Sequence, residues 1–143
     1  MEPSFFKFVQ NNLLLFAVAL VSGAMLLWPV LRRSAGGPSV STGQATQLIN
    51  REDALVVDVR EPGEYDAGHI LGAKSVPASR IQSGPLPGDV AKRKEKPIIV
   101  YCETGNRSAA AAAALRKQGF ARVHNLSGGI SAWRQAGLPV EKK

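Results

Sequence analysis

The feature that most restricts this chain is the stretch Leu13 to Leu31, which carries no charged residue and is broken only by Ser22, Gly23 and Pro29. At ~1.5 Å per residue a helix over this stretch is roughly 28 Å long, close to the ~30 Å hydrocarbon thickness of a bilayer. Trp28 falls where an interfacial aromatic belongs. A buried core helix is disfavoured at this length. A cleaved signal peptide is disfavoured because no small-x-small cleavage site follows: the run ends in Trp28 and Pro29, with Arg32 and Arg33 just beyond. The expectation is a membrane-spanning helix over 13–31, preceded by an N-terminal tail over 1–12.

The basic residues flanking the run set its expected orientation. Arg32 and Arg33 follow it directly, whereas Lys7 precedes it and is partly offset by Glu2. The positive-inside rule therefore places the C-terminal part in the cytoplasm of a single-pass protein, which for a bacterium means the inner membrane. Residues 32–43 are rich in Ser, Gly and Pro after the Arg pair and read as a linker, leaving 44–143 as one folded domain. An apolar content of 45% with 20% charge excludes a disordered chain, a collagen-like repeat and an all-membrane bundle. The single Cys excludes an intramolecular disulfide and suits a reducing compartment.

The formal charge is +7, and beyond residue 33 there remain 15 basic against 10 acidic residues. Part of that excess lies in Lys92-Arg93-Lys94-Glu95-Lys96, which reads as a solvated helix end or loop, with attraction to anionic lipid as the weaker alternative. No nucleic-acid partner is expected.

Helical and extended patterns alternate along the folded part. Ser41-Thr42-Gly43-Gln44 has capping-box spacing ahead of Ala45, Leu48 and Ile49 and predicts a helix start. Ala54 to Val59 is a β-branched run suited to a strand covered on both faces. Pro62-Gly63 forces a turn, with one helical turn over Glu64 to Ala67 and a short strand over Lys74 to Val76. Pro85 and Pro87 leave 79–96 undefined except for a helical turn over Asp89 to Arg93. Pro97 to Tyr101 predicts a central strand, Cys102 to Arg107 a tight turn, and Ser108 to Gln118 a helix stopped by Gly119, strengthened by six consecutive Ala. Arg122 to Leu126 predicts another strand, and Ile130 to Gln135 a helix with Trp133 on its buried side. Such alternation predicts a parallel sheet flanked by helices.

In an open parallel sheet, ligands bind beyond the carboxyl ends of the strands, and Cys102 is the first residue past the most apolar strand. The amides of Glu103, Thr104, Gly105, Asn106, Arg107 and Ser108 are placed to curl around its sulfur, since a helix start leaves N–H groups without partners. Such donors, with Arg107 adding positive charge, lower a thiol's reference pKa of ~8.5 and favour thiolate, the nucleophilic form. Gly105 supplies the backbone freedom a tight curl needs. A free Cys is most often just a small buried hydrophobe. That role requires neither a Gly-containing turn nor a cation directly before a helix.

These residues resemble the rhodanese, or sulfurtransferase, family over about residues 41–140. The resemblance is carried by Val57-Asp58-Val59-Arg60-Glu61 with Glu64-Tyr65, by Gly68-His69-Ile70 and Gly72-Ala73 ahead of Val76-Pro77, by Val100 to Ser108, and by Leu126 to Trp133. It implies an α/β fold with a five-stranded parallel sheet and helices on both faces. It further implies that Cys102 takes sulfur from a small anionic donor such as thiosulfate, holds it as a persulfide and passes it to cyanide or a thiol, with no cofactor. Cys102 and Arg107 enclose four residues, whereas phosphatase loops of similar design enclose five, so sulfur suits the ring better than phosphate. Glu103 departs from the thiosulfate-preferring pattern, in which Arg follows the nucleophile, and opposes an anionic donor unless its side chain points outward. With one Cys, the sulfur acceptor must be external.

Asp58 and Arg60 match the family and are expected to pair, either bracing the active loop or as a strand-end ion pair without catalytic meaning. His69 reads as a turn support, His124 lies on a strand, and two separated His with one Cys make no metal site. Trp133, Phe120 and Leu138 read as core. The alternative function is a membrane-anchored interaction module with little catalysis beside a membrane transport or insertion protein, because sulfur transfer alone needs no anchor.

Overall fold

The computed structural model describes residues 4–35 and 38–142, and the chain separates into two units, 1–34 and 35–143. In the first, the helices α1 (Ser4–Asn11) and α2 (Leu13–Ala35) meet at Asn12, whose amide N–H donates to the Phe8 carbonyl at 3.1 Å. A helix thus occupies most of what reads as a tail. Residues 13–31 are the described helical segment long and apolar enough to cross a membrane, and none of it is buried within the protein.

The second unit is a five-stranded, all-parallel sheet in the order β1-β6-β5-β2-β4. Its strands are β1 (Ser39–Val40), β2 (Leu55–Asp58), β4 (Lys74–Ser75), β5 (Ile98–Tyr101) and β6 (Val123–Leu126). The α/β architecture with five parallel strands is as expected. Two features differ from the sequence reading. β1 lies inside the stretch read as linker: Ser39 and Val40 pair with Asn125 and Leu126, a long-range contact that a two-residue strand does not announce locally. A separate antiparallel pair, β3 (His69–Ile70) and β7 (Val140–Glu141), joins the C-terminal end to the middle of the chain.

Helices cover both faces, as the continuous apolar strands require. Side chains of successive strand residues point to opposite faces. Leu55, Val57, Ile98 and Val100 therefore pack with Ile81 of α5 (Ala78–Ser83), Val90 of α6 (Gly88–Ala91), and Ala111, Ala112 and Leu115 of α7 (Asn106–Lys117). Val56, Ile99 and Tyr101 face Ala45 of α3 (Thr42–Glu52), Tyr65 of α4 (Pro62–Ala67), and Ile130 and Trp133 of α8 (Gly129–Gln135). The undefined stretch 79–96 thus holds all of α5 but its first residue and all of α6. The capping box before α3 forms: Gln44 N–H donates to Ser41 Oγ at 3.2 Å, and Ser41 N–H to Gln44 Oε1 at 2.9 Å.

Candidate active site

β5, buried along its whole length at the centre of the sheet, delivers Cys102 to the carboxyl end with 1% of its surface exposed. The chain then turns through Gly105 at φ 105°, a left-handed conformation that Gly adopts without steric cost. That turn starts α7 at Asn106, two residues before the expected Ser108, so Asn106 and Arg107 belong to its first turn. The sulfur faces the gap: Gly105 N–H donates to Sγ at 3.0 Å and Ser108 N–H at 3.4 Å, and Ser108 Oγ lies 3.4 Å away. Burial pushes the Cys102 thiol up, but the Ser108 hydroxyl and the amides of Ser108, Gly105 and Thr104 outweigh it and leave the thiol below its ordinary range. Of the six expected amides, those of Gly105 and Ser108 lie within hydrogen-bond distance of the sulfur.

One proton in this cradle is contested. Ser108 Oγ donates to Asn125 Oδ1 at 2.5 Å, while Asn125 Nδ2 donates to the Gly105 carbonyl at 3.1 Å, which fixes the amide's orientation. An amide oxygen only accepts. A hydroxyl carries one proton, so Ser108 stabilises the thiolate when that proton turns from Asn125 to the sulfur. The backbone amides are therefore the donors that hold the anion irrespective of rotamer.

The loop is held from behind by the start of α8. Ile130 N–H donates to the Cys102 carbonyl at 2.9 Å and Ser131 N–H to the Glu103 carbonyl at 3.2 Å. These bonds turn the loop carbonyls outward and its amides toward the sulfur. The contact depends on Gly129, at φ 58°, where a Cβ would collide with the carbonyl oxygens of Cys102 and Glu103.

The rim is charge-balanced. Asp58 and Arg60, both fully or almost fully buried, pair at 2.8 Å, and Arg60 also donates to the Gly68 carbonyl at 2.6 Å. Arg60 then reaches Glu103 Oε2 at 3.2 Å, while Glu103 Oε1 lies 3.3 Å from both Arg134 Nη1 and Ser131 Oγ. The Glu103 carboxylate is thus drawn away from the sulfur toward Arg60 and Arg134. Arg107, expected to supply positive charge to a substrate, forms a two-pronged pair with Glu64 at 3.0 and 3.1 Å, which holds the Glu64 carboxyl below its usual range. Thr104 and Asn106 have exposed side chains.

Asn125, Gly129, Glu64, Ser131 and Arg134 were not singled out for the site from sequence. The signal available for one of them was Gly128-Gly129, a doublet that marks close backbone approach.

A family model described as a Rhodanese-like domain matches residues 41–136. The uncharacterized protein YibN of Escherichia coli (strain K12) is 40% identical over 101 residues, covering 71% of this chain and 70% of YibN. The protein named thiosulfate sulfurtransferase GlpE of Pseudoalteromonas translucida is 35% identical over 97 residues, covering 68% of this chain and 89% of GlpE. Among solved structures, the crystal structure of a rhodanese-related protein from Thermoplasma volcanium superposes with a TM-score of 0.63 at 30% identity, over 74% of this chain and 99% of that one. With the family model spanning well over half of the chain and the same sheet recurring in a solved relative, the chain belongs to the rhodanese-like domain family, which includes relatives named as sulfurtransferases.

Proposed function

We propose that this protein is a sulfurtransferase that works through a Cys102 persulfide while tethered to a membrane by residues 13–31. The observation that carries this reading is the pair of backbone N–H groups, from Gly105 and Ser108, directed at a buried sulfur at the end of the central strand. In the first half-reaction the Cys102 thiolate attacks the outer sulfur of thiosulfate; the new S–S bond forms as the S–SO3 bond breaks, and sulfite leaves with the electron pair. The persulfide anion that results occupies the amide cradle. In the second, an external thiolate attacks the outer sulfur, forms a new persulfide and returns Cys102 as thiolate. Thr104, Gly105 and Ser108 contribute amides to the sulfur. Asp58 and Arg60 position the loop through Glu103, and Glu103 and Arg107 line the rim.

Because Arg60, Arg107 and Arg134 each face a carboxylate, attraction for an anionic donor comes mainly from the amides. The orientation proposed for the tether, with the domain in the cytoplasm, follows from Arg32 and Arg33.

The test is intact-mass measurement of the full chain in detergent after incubation with thiosulfate or another sulfane donor. A gain of one sulfur atom, absent in Cys102→Ser and removed by added thiol, supports the reading; an unmodified wild type across several donors overturns it. The apolar segment also favours a second reading, an interaction module beside a membrane protein, which predicts a cellular phenotype unchanged by Cys102→Ser.

A further inference from the structure

The charge of the folded domain is segregated by edge. Residues 51–53, 92–96, 116–117 and 122 hold eight Lys and Arg against three Asp and Glu, and the rest of the chain from residue 34 on holds seven of each sign. The whole surplus of five therefore sits in four segments. The topology brings all four to one edge: the carboxyl ends of α3 and α7, the turn ahead of β5 and the turn ahead of β6. In an all-parallel sheet these lie at the amino ends of the strands, opposite the Cys102 loop. Backbone bonds join them there, with Ala121 N–H donating to the Lys94 carbonyl at 2.9 Å and Ile98 N–H to the Arg122 carbonyl at 2.9 Å. Glu52 pairs with Arg122, and Asp53 with Arg93 and Lys96, while Lys92, Lys94 and Lys117 extend exposed around them.

The chain enters the sheet from this same side. β1 runs parallel to its neighbour β6, so Ser39, its first residue, stands at the amino edge. In sequence only residues 32–38 separate the apolar segment from β1, and 32–35 continue α2, so the reach is below the roughly 25 Å of a fully extended stretch. Charges act on a lipid surface within a Debye length of ~8–10 Å, and a tether this short lets the edge it enters reach that range.

We propose that this basic edge docks on anionic lipid headgroups, so that the Cys102 loop at the opposite edge faces away from the bilayer toward soluble sulfur donors and acceptors. The inference rests on the membrane-tether reading above. It accounts for the surplus on one edge and for the balance of charge at the other, where a net positive site would compete for the same lipid.

The test uses the full chain carrying Cys102→Ser, reconstituted in vesicles containing a headgroup spin-labelled quencher. A fluorophore is placed on the basic edge (Glu95→Cys) or, in a second preparation, on the active loop (Thr104→Cys). The vesicles are phosphatidylcholine alone or with about 30% phosphatidylglycerol. The expected result is at least about threefold stronger quenching at 95 than at 104 in the anionic vesicles, lost in about 0.5 M NaCl and in phosphatidylcholine alone. Lys92→Gln/Lys94→Gln/Lys96→Gln should abolish the difference while leaving Trp133 emission, read in a Trp28→Phe background, native; the salt arm tests the same point without any substitution at the lysines. Equal quenching at both positions, stronger quenching at 104, or a preference unaffected by lipid charge overturns the proposal, as does displacement by an RNA oligonucleotide in preference to lipid. A chain that fails to remain with vesicles after alkaline washing refutes the tether itself. One that remains without edge preference refutes the docking alone.

Discussion

Replacing Arg60 by Met should orphan the buried carboxylate of Asp58. Arg60 is 2% exposed and Asp58 fully buried, and the guanidinium supplies Asp58 with side-chain bonds at 2.8 to 3.2 Å. Removing one partner of a buried pair leaves the other charge without compensation and costs about 3–5 kcal/mol. The figure here belongs near the lower end, because the Arg60 backbone N–H still donates to Asp58 Oδ1 at 2.9 Å after the substitution. The Glu103 link adds little, since that carboxylate is 40% exposed and such pairs contribute about 0–1 kcal/mol. Urea unfolding of the detergent-solubilised full chain reads the effect, with Trp28→Phe so that buried Trp133 reports. At an m-value of about 1–2 kcal/mol/M, a loss of 3 kcal/mol moves the midpoint by about 1.5–3 M. The diagnostic is the double variant Asp58→Leu/Arg60→Met, which removes both charges and should recover most of the loss, because the penalty is the orphaned carboxylate rather than the absent attraction. A single variant losing less than about 1 kcal/mol, or a double variant no more stable than the single, would refute this account.

Three further outcomes follow from the geometry. Alkylation of Cys102 by iodoacetamide should rise with pH along a curve centred below the ordinary thiol range; because the folded pKa is the lower one, stability should also rise as pH climbs from the folded pKa to ~8.5 and be lost as pH falls back through it. A titration centred at or above ~8.5 in wild type would contradict this. Gly129→Ala combines a left-handed conformation costing about 1–2 kcal/mol with overpacking of about 1–3 kcal/mol, so it should destabilise by about 2–5 kcal/mol and blunt Cys102 alkylation at neutral pH as the loop backs away from α8. Unchanged reactivity would show that the α8 contact does not shape the cradle. His124 has both ring nitrogens buried without a hydrogen-bond partner, and burial, with Arg122 and Arg116 nearby, pushes its pKa down. The unfolded chain then binds the extra proton first, so stability should fall as pH drops below ~6.5, and His124→Leu should remove that part of the acid sensitivity. Identical pH slopes in the two proteins would argue otherwise.

Local chemistry made much of this molecule legible in advance. The uncharged run, the capping box at Ser41, the β-branched strands ahead of Asp58 and Cys102, and the Gly105 turn each depend on neighbours a few residues away, and such signals survive in linear order. The strand, Cys loop and helix unit therefore stood out, and with it Cys102 and the amides around it. Of the two-residue strands, β4 alone stood out; β1, β3 and β7 exist only because a distant strand supplies their hydrogen bonds.

The arrangement of charge was likewise decided in three dimensions. Arg107 reads as substrate-facing in one dimension, yet Glu64, 43 positions away, claims it; Glu103 reads as a threat to an anionic donor, yet Arg60 and Arg134 pull it aside. Asn125 and Gly129 act on the loop across 20 or more residues, through bonds and clearances that only the closed sheet brings into range. Which groups are candidates for the chemistry was thus a property of sequence, set by residue type and local backbone. How their charges cancel, and which edge carries the surplus, was settled by packing, because electrostatic energy depends on distance through space and not on separation along the chain.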